Sequence, residues 1–212
     1  MASLVEWVID ELDADLAMRR RELIDLRLLV ASSSGSHNLM LSRACQVMAY
    51  AHWEGFVKKA LEIYLDHLVR IRLRVDQLRF ELQALFFEPQ ILSCGVVGRA
   101  GGPAAKLLME FDARATAVFR VDPSKVVRSG NMTSNTLRVL LQSAALDYLP
   151  AYDVRSNYID SVICGRRHRI AHGAFEQVSP DEARQVAEDV LALCDELNLQ
   201  VQTAALYREY LR

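Results

Sequence analysis

The sequence predicts an all-α protein, a bundle of long helices with smaller helices inserted in the middle. Three observations carry that prediction. Apolar residues recur every three or four positions over long segments, the spacing of one helix face. Only nine glycines and five prolines interrupt 212 residues. No stretch alternates apolar and polar residues for long enough to compete as a strand.

Taken in order, Val5, Val8, Leu12, Leu16, Leu23, Leu26 and Val30 mark the inner face of a first long helix from Leu4. Asp13, Arg20, Arg21 and Asp25 occupy its outer side. The small polar run Ser32 to Ser36 stops it and offers an N-cap to the next. A second long helix spans about Asn38 to Val69. Its middle, Met48 to Val57, is apolar or aromatic on several faces, which marks a central helix, and Gly55 permits close approach by a neighbour. Helical character continues through the basic set Arg70, Arg72, Arg74 and Arg79 to Phe87, and Pro89 ends the run. Arg70, Arg72 and Arg74 read as a solvated face or as a rim for RNA.

Residues from about 88 to 133 read as an irregular, partly helical insertion within one domain, 1–212. Gly95, Gly98, Gly101 and Gly102 lie in it, without the Gly-x4-Gly-Lys-Ser/Thr order of a phosphate loop, so a plain connection is expected. A shorter helix is expected from Lys106 to Phe119. Ser134 or Asn135 caps another, with Leu137, Leu140, Leu141 and Ala144 inward, and Pro150 breaks it. A helix from near Asp153 ends at Gly173. Ser179-Pro180-Asp181-Glu182 has the form of a capping box and opens a last helix to about Tyr207.

Composition narrows the function classes. The formal net charge of −2 argues against a protein that coats nucleic acid non-specifically, though a local basic cleft remains compatible with it. No apolar run reaches membrane-spanning length, and acidic residues among the first apolar ones do not suit a secretory signal. Cys45, Cys94, Cys164 and Cys194 show neither CxxC pairing nor metal-ligand spacing, so reduced thiols and a cytoplasmic location are expected.

One stretch stands apart in chemistry. Between Gly165 and Gly173 lie Arg166, Arg167, Arg169, His168 and His172, two of the chain's five histidines among them. Arginine offers a permanently charged fork for phosphate oxygens, and histidine moves a proton near neutral pH. On a helix His168 and His172 share a face. Arg167 and His172 stand about 140° apart, so loosening of the last turn before Gly173 would be needed to aim both into one cleft. Three readings compete: a solvated basic last turn that complements the helix dipole, a His-x3-His zinc pair, and RNA cleavage without a metal. The zinc pair lacks the glutamate of His-Glu-x-x-His and a third ligand. Glu54 and His52 sit in the apolar second helix. Each is read as a polar clasp to another helix or as a contact that orients Arg167 or His172. Trp53, Tyr50 and Phe56 are read as core.

Arg167-His168-Arg169-Ile170-Ala171-His172 is an Arg-x4-His with a polar residue after the arginine, and it resembles the signature of the HEPN superfamily. Leu16 to Leu23, Tyr50 to Lys58, and Ser134 through Asp147 are similar to the MAE-type HEPN-like nucleases of bacteria. The resemblance implies a HEPN-like helical bundle that forms a homodimer with two motifs facing one cleft. It implies an endoribonuclease without metal or cofactor that leaves a cyclic phosphate, acting as a toxin or phage-defence effector, with RNA and an antitoxin or defence-system protein as partners. Arg167 would polarise the phosphate, His172 would serve as acid or base, and His168 stands where the commonest form has Asn. Arg166 and Arg169 are expected to help bind the substrate. The alternative is a non-catalytic HEPN-type module that dimerises or binds nucleotide and regulates a partner.

Overall fold

The computed structural model describes residues 3–94 and 102–212. Gly95, Gly98 and Gly101 of the glycine-rich connection lie outside them. Among the described residues the secondary structure is helical, with isolated bridges and no strand.

Three long helices build the core. α1 (Leu4–Ser32) begins where Ser3 and Glu6 cap one another reciprocally. α2 (Gly35–Arg70) follows after Gly35, whose φ of +59° makes the reversal possible. α11 (Pro180–Tyr207) opens with the Ser179/Glu182 capping box and Pro180 in its first turn, and ends at Arg208 in the left-handed region. These helices pack chiefly on one another. Val8, Leu12 and Leu23 of α1, Trp53, Phe56 and Leu61 of α2, and Val190, Leu193 and Leu197 of α11 are shut off from solvent. Each such side chain stabilises the fold by roughly 1.5–3 kcal/mol through burial alone. At the rim Arg20 pairs with Asp195 and Arg27 with Glu188, lacing α1 to α11.

At 36 residues α2 is about 54 Å long. α1 covers one of its flanks, α11 a second, and the segments before and within the basic motif a third. One strip stays uncovered. Met40, Ala44, Met48 and Ala51 face solvent one turn apart, with Val47 half-buried beside them and no charge among them. Gly55 closes the strip, since a Cβ there would lie 2.6 Å from Arg19 Nη1 of α1. The close neighbour expected at Gly55 is thus the Arg19 guanidinium, which donates to the His52 carbonyl and is forked onto Asp15.

The middle of the chain differs from the sequence reading in its boundaries. Helical character does not continue past Arg70: Arg72 adopts φ +56°, Arg74 bridges to Val118, and a 3-10 turn (Val75–Gln77) precedes α3 (Phe80–Phe86). Pro89 starts a helix instead of ending one. It sits in the first turn of α4 (Glu88–Cys94), where a missing N–H leaves no bond unmade. α5 (Gly102–Arg114) stops five residues short of Phe119, and α6 (Pro123–Val126) is a single turn. Thr133, not Ser134 or Asn135, caps α7 (Ser134–Ser143), its side chain accepting from the Thr136 N–H. α7 ends well before Pro150, which opens α8 (Pro150–Val154). Arg70 covers Trp7 at 4.2 Å and pairs with Asp66, while Arg74 is forked onto Asp76. No described helix is long and apolar enough to cross a membrane.

His67 and His52 are both buried in α2. Burial is the main reason that each imidazole sits below its ordinary 6.5, and His67 lies edge-on to Tyr210. A histidine whose folded value is depressed gains a proton on unfolding. Its contribution to stability is therefore complete above pH 6.5 and is lost as pH falls below that value. Urea denaturation midpoints are expected to drop between pH 7.5 and pH 5, and His67→Leu to show a smaller drop than the wild type.

Candidate active site

The basic motif owes its direction to an irregular turn. Sequence periodicity predicts one continuous helix from near Asp153. The chain instead forms α8, a single turn α9 (Ser156–Tyr158), a π-helical segment from Ile159 to Arg166, and α10 (Arg167–Ala171). In the π-helical segment each N–H reaches back five residues, so the backbone is wider than in an α-helix. Gln46 of α2 donates from Nε2 to the Val162 carbonyl at 2.9 Å. Gly165 fits because a Cβ there would stand 3.1 Å from the Asp160 carbonyl. The loosening that the sequence places after Arg167 thus lies before it. α10 itself is regular up to His172, whose N–H donates to the His168 carbonyl, and Gly173 at φ +83° ends it.

Asp160 ties this segment to α7. Its carboxylate accepts from the Ser134 N–H and the Ser134 hydroxyl, both at 2.7 Å, and so caps the N-terminus of α7 from a distance of 26 residues. The loop before α7 is held as tightly. The Met132 carbonyl accepts from Trp53 Nε1 at 3.3 Å and from the Cys164 thiol at 3.0 Å. The Met132 N–H donates to the Tyr50 phenol oxygen at 2.9 Å.

Arg167 is seated by the result. Its guanidinium lies 3.6 Å from the centre of the Tyr50 ring and donates from Nη2 to Asn131 Oδ1 at 2.8 Å. Its Nε is buried without a partner. Burial pushes the Tyr50 phenol up to about 12, with a further push from Glu54, so the ring under the arginine is a neutral aromatic with an electron-rich face. Glu54 itself is half-buried and paired with Lys58 at 2.6 Å. It is brought next to Tyr50 and, through it, to Arg167.

The other arginines of the motif are engaged elsewhere. Arg169 forks onto Glu176 with two 2.8 Å bonds, which hold the Glu176 carboxyl below its ordinary range. Arg166 meets Glu182 at 2.7 Å, on the capping box of α11. Among the described residues Arg167 is the one guanidinium of the three without a carboxylate partner. His168 and His172 are exposed, with ring centres 4.3 Å apart. His52 is not brought to the motif: it points to α1, with Nε2 3.1 Å from Glu22 Oε2. Among the described residues no group of three His, Cys, Asp or Glu side chains is placed to hold a metal ion.

Sequence reasoning missed Tyr50 as the arginine's seat, and also Asn131, Asp160 and Gln46. Tyr50 is indeed core, 3% exposed, but one ring face serves Arg167. The clue was chemical: a buried tyrosine needs a partner for its hydroxyl, and that need locates the loop at Met132. Asp160→Ala is expected to cost about 1–2 kcal/mol in denaturant titrations, since it removes the carboxylate that supplements the Thr133 cap of α7 and leaves the Ser134 N–H unmet.

The sequence matches the family model described as HEPN_MAE_28990-like HEPN over residues 8–210. No curated protein and no solved structure matches it.

Proposed function

We propose that this chain, which belongs to the HEPN_MAE_28990-like HEPN family, is an endoribonuclease that acts on RNA with its Arg167/His172 motif. The observation that carries the reading is the contrast within the motif. Arg166 and Arg169 are consumed by carboxylates, while Arg167 is held on a neutral ring, and two exposed imidazoles pair with one another along the same short helix. A cation kept free of carboxylates at a defined position is suited to an incoming phosphate. A merely solvated helix end has no need of such a seat.

The chemistry follows from those groups. A neutral imidazole takes the proton of a ribose 2′-OH, and the 2′-oxygen forms a bond to the adjacent phosphorus. Arg167 neutralises the charge that gathers on the phosphorane oxygens. The bond from phosphorus to the 5′-oxygen breaks, and that oxygen leaves with a proton from a second group. The products are a 2′,3′-cyclic phosphate and a 5′-hydroxyl.

Attack and departure take place on opposite sides of phosphorus. The base and the acid must then be separated by two hydrogen bonds of about 2.6–3.2 Å as well as by the reacting oxygens. His168 and His172, with ring centres 4.3 Å apart, fit one side of that arrangement. A second copy of the chain supplies the other side. The uncharged strip Met40, Ala44, Met48 and Ala51 on α2 is the surface for it: it runs past Tyr50, and a helix apolar all round is stable when buried all round.

Arg167→Ala and His172→Ala are each expected to lower RNA cleavage by roughly 100-fold or more with the circular dichroism spectrum unchanged. Chelator is expected to leave the wild-type rate as it was. Wild-type rates from both variants, or arrest by EDTA, would refute the reading; binding of RNA without any cleavage would turn it toward a regulatory module. Ala44→Glu is expected to convert a dimer to a monomer in sedimentation and to lose cleavage with it.

A further inference from the structure

The loop between α10 and α11 presents one large apolar side chain to solvent beside the motif. Phe175 is 70% exposed, three residues after His172. The loop that carries it is braced on both sides. The Ala174 N–H donates to the Arg169 carbonyl at 2.9 Å, and the Ala174 carbonyl accepts from Arg43 Nη2 at 3.1 Å. Glu176, on the other side, is locked in the Arg169 fork. Arg43 also stands over the Phe175 ring, 5.6 Å from its centre. It belongs to α2, two turns before Tyr50, so the Phe175 loop is anchored about 10 Å along that helix from the seat of Arg167.

The surroundings of the ring decide what it fits. A protein-docking patch gathers several apolar side chains. Phe175 has Gly173, Ala174, Glu176 and Gln177 as chain neighbours and Arg43 against its ring. An exposed aromatic with a cation at its back, on the loop that follows a motif read as phosphate-binding, is the composition of a base-stacking site. Stacking on such a ring requires a base with an open face, which paired bases in a duplex do not offer.

We infer that Phe175, backed by Arg43, is a stacking platform for an unpaired base of the RNA that the motif holds. This rests on the reading of the motif as an RNA site. On it, Phe175 selects the strand and the motif cuts it.

The test uses the full chain and a labelled oligoribonucleotide methylated at every 2′-oxygen, which binds without being cut, offered alone and annealed to its complement. Wild type is expected to prefer the single strand. Phe175→Ala is expected to weaken single-strand binding roughly 5- to 100-fold, and Phe175→Tyr to restore it. With the cleavable RNA the loss falls on KM rather than on kcat. Equal binding by wild type and Phe175→Ala, or no preference for the single strand, overturns the platform. So does a change of oligomeric state in Phe175→Ala by sedimentation, which would make the ring a protein contact. If wild type cuts no RNA but the binding pattern holds, the cleavage reading falls and the platform stands.

Discussion

The backbone of one residue, Met132, fixes the geometry on which the motif depends. Its carbonyl accepts a hydrogen bond from Trp53 of α2 and another from Cys164 of the π-helical segment, while its N–H donates to Tyr50. Three segments far apart in the chain thus meet at one buried point. Each of these groups would be costly to leave unpaired there, so the arrangement is held by what its absence would lose. The Tyr50 ring is oriented by that bond, and the ring in turn orients Arg167. The position of a half-exposed cation is therefore set by buried hydrogen bonds with no charge of their own.

The long helices were legible because they obey local rules. The capping box at Ser179, the small polar run from Ser32 to Ser36 and the apolar spacing of α1, α2 and α11 place their ends within a few residues. The short elements were not. Pro89 and Pro150 each mark a boundary, yet a proline that stops one helix and a proline that starts another look alike until the partner segments are known. The π-helical segment was invisible for a different reason. Its apolar residues Ile159 and Ile163 keep ordinary helical spacing, and the wider turn depends on Gln46 and Asp160 contacts across the fold.

The basic cluster shows the same division. Residue types and spacing single out Arg166, Arg167, His168, Arg169 and His172 together, but spacing cannot divide arginines that structure the chain from one that is free to bind. The division comes from Glu176 and Glu182, which follow the motif and claim its two flanking arginines. Both carboxylates also brace the passage into α11, where Glu182 caps the helix. Charge that reads as a patch in sequence is in large part a fastening for the loop that carries Phe175.

The wide turn before Arg167 also has a meaning in terms of counting. A π-helical turn holds one residue more than an α-helical turn, and one residue corresponds to about 100° of rotation. The bearing of the motif is thus stored in the number of residues between Asp160 and Arg167 as much as in their identity. Side chains along that segment are open to exchange while the count is kept. A single deletion there would leave every motif residue in place along the chain and turn all of them to face a different neighbour.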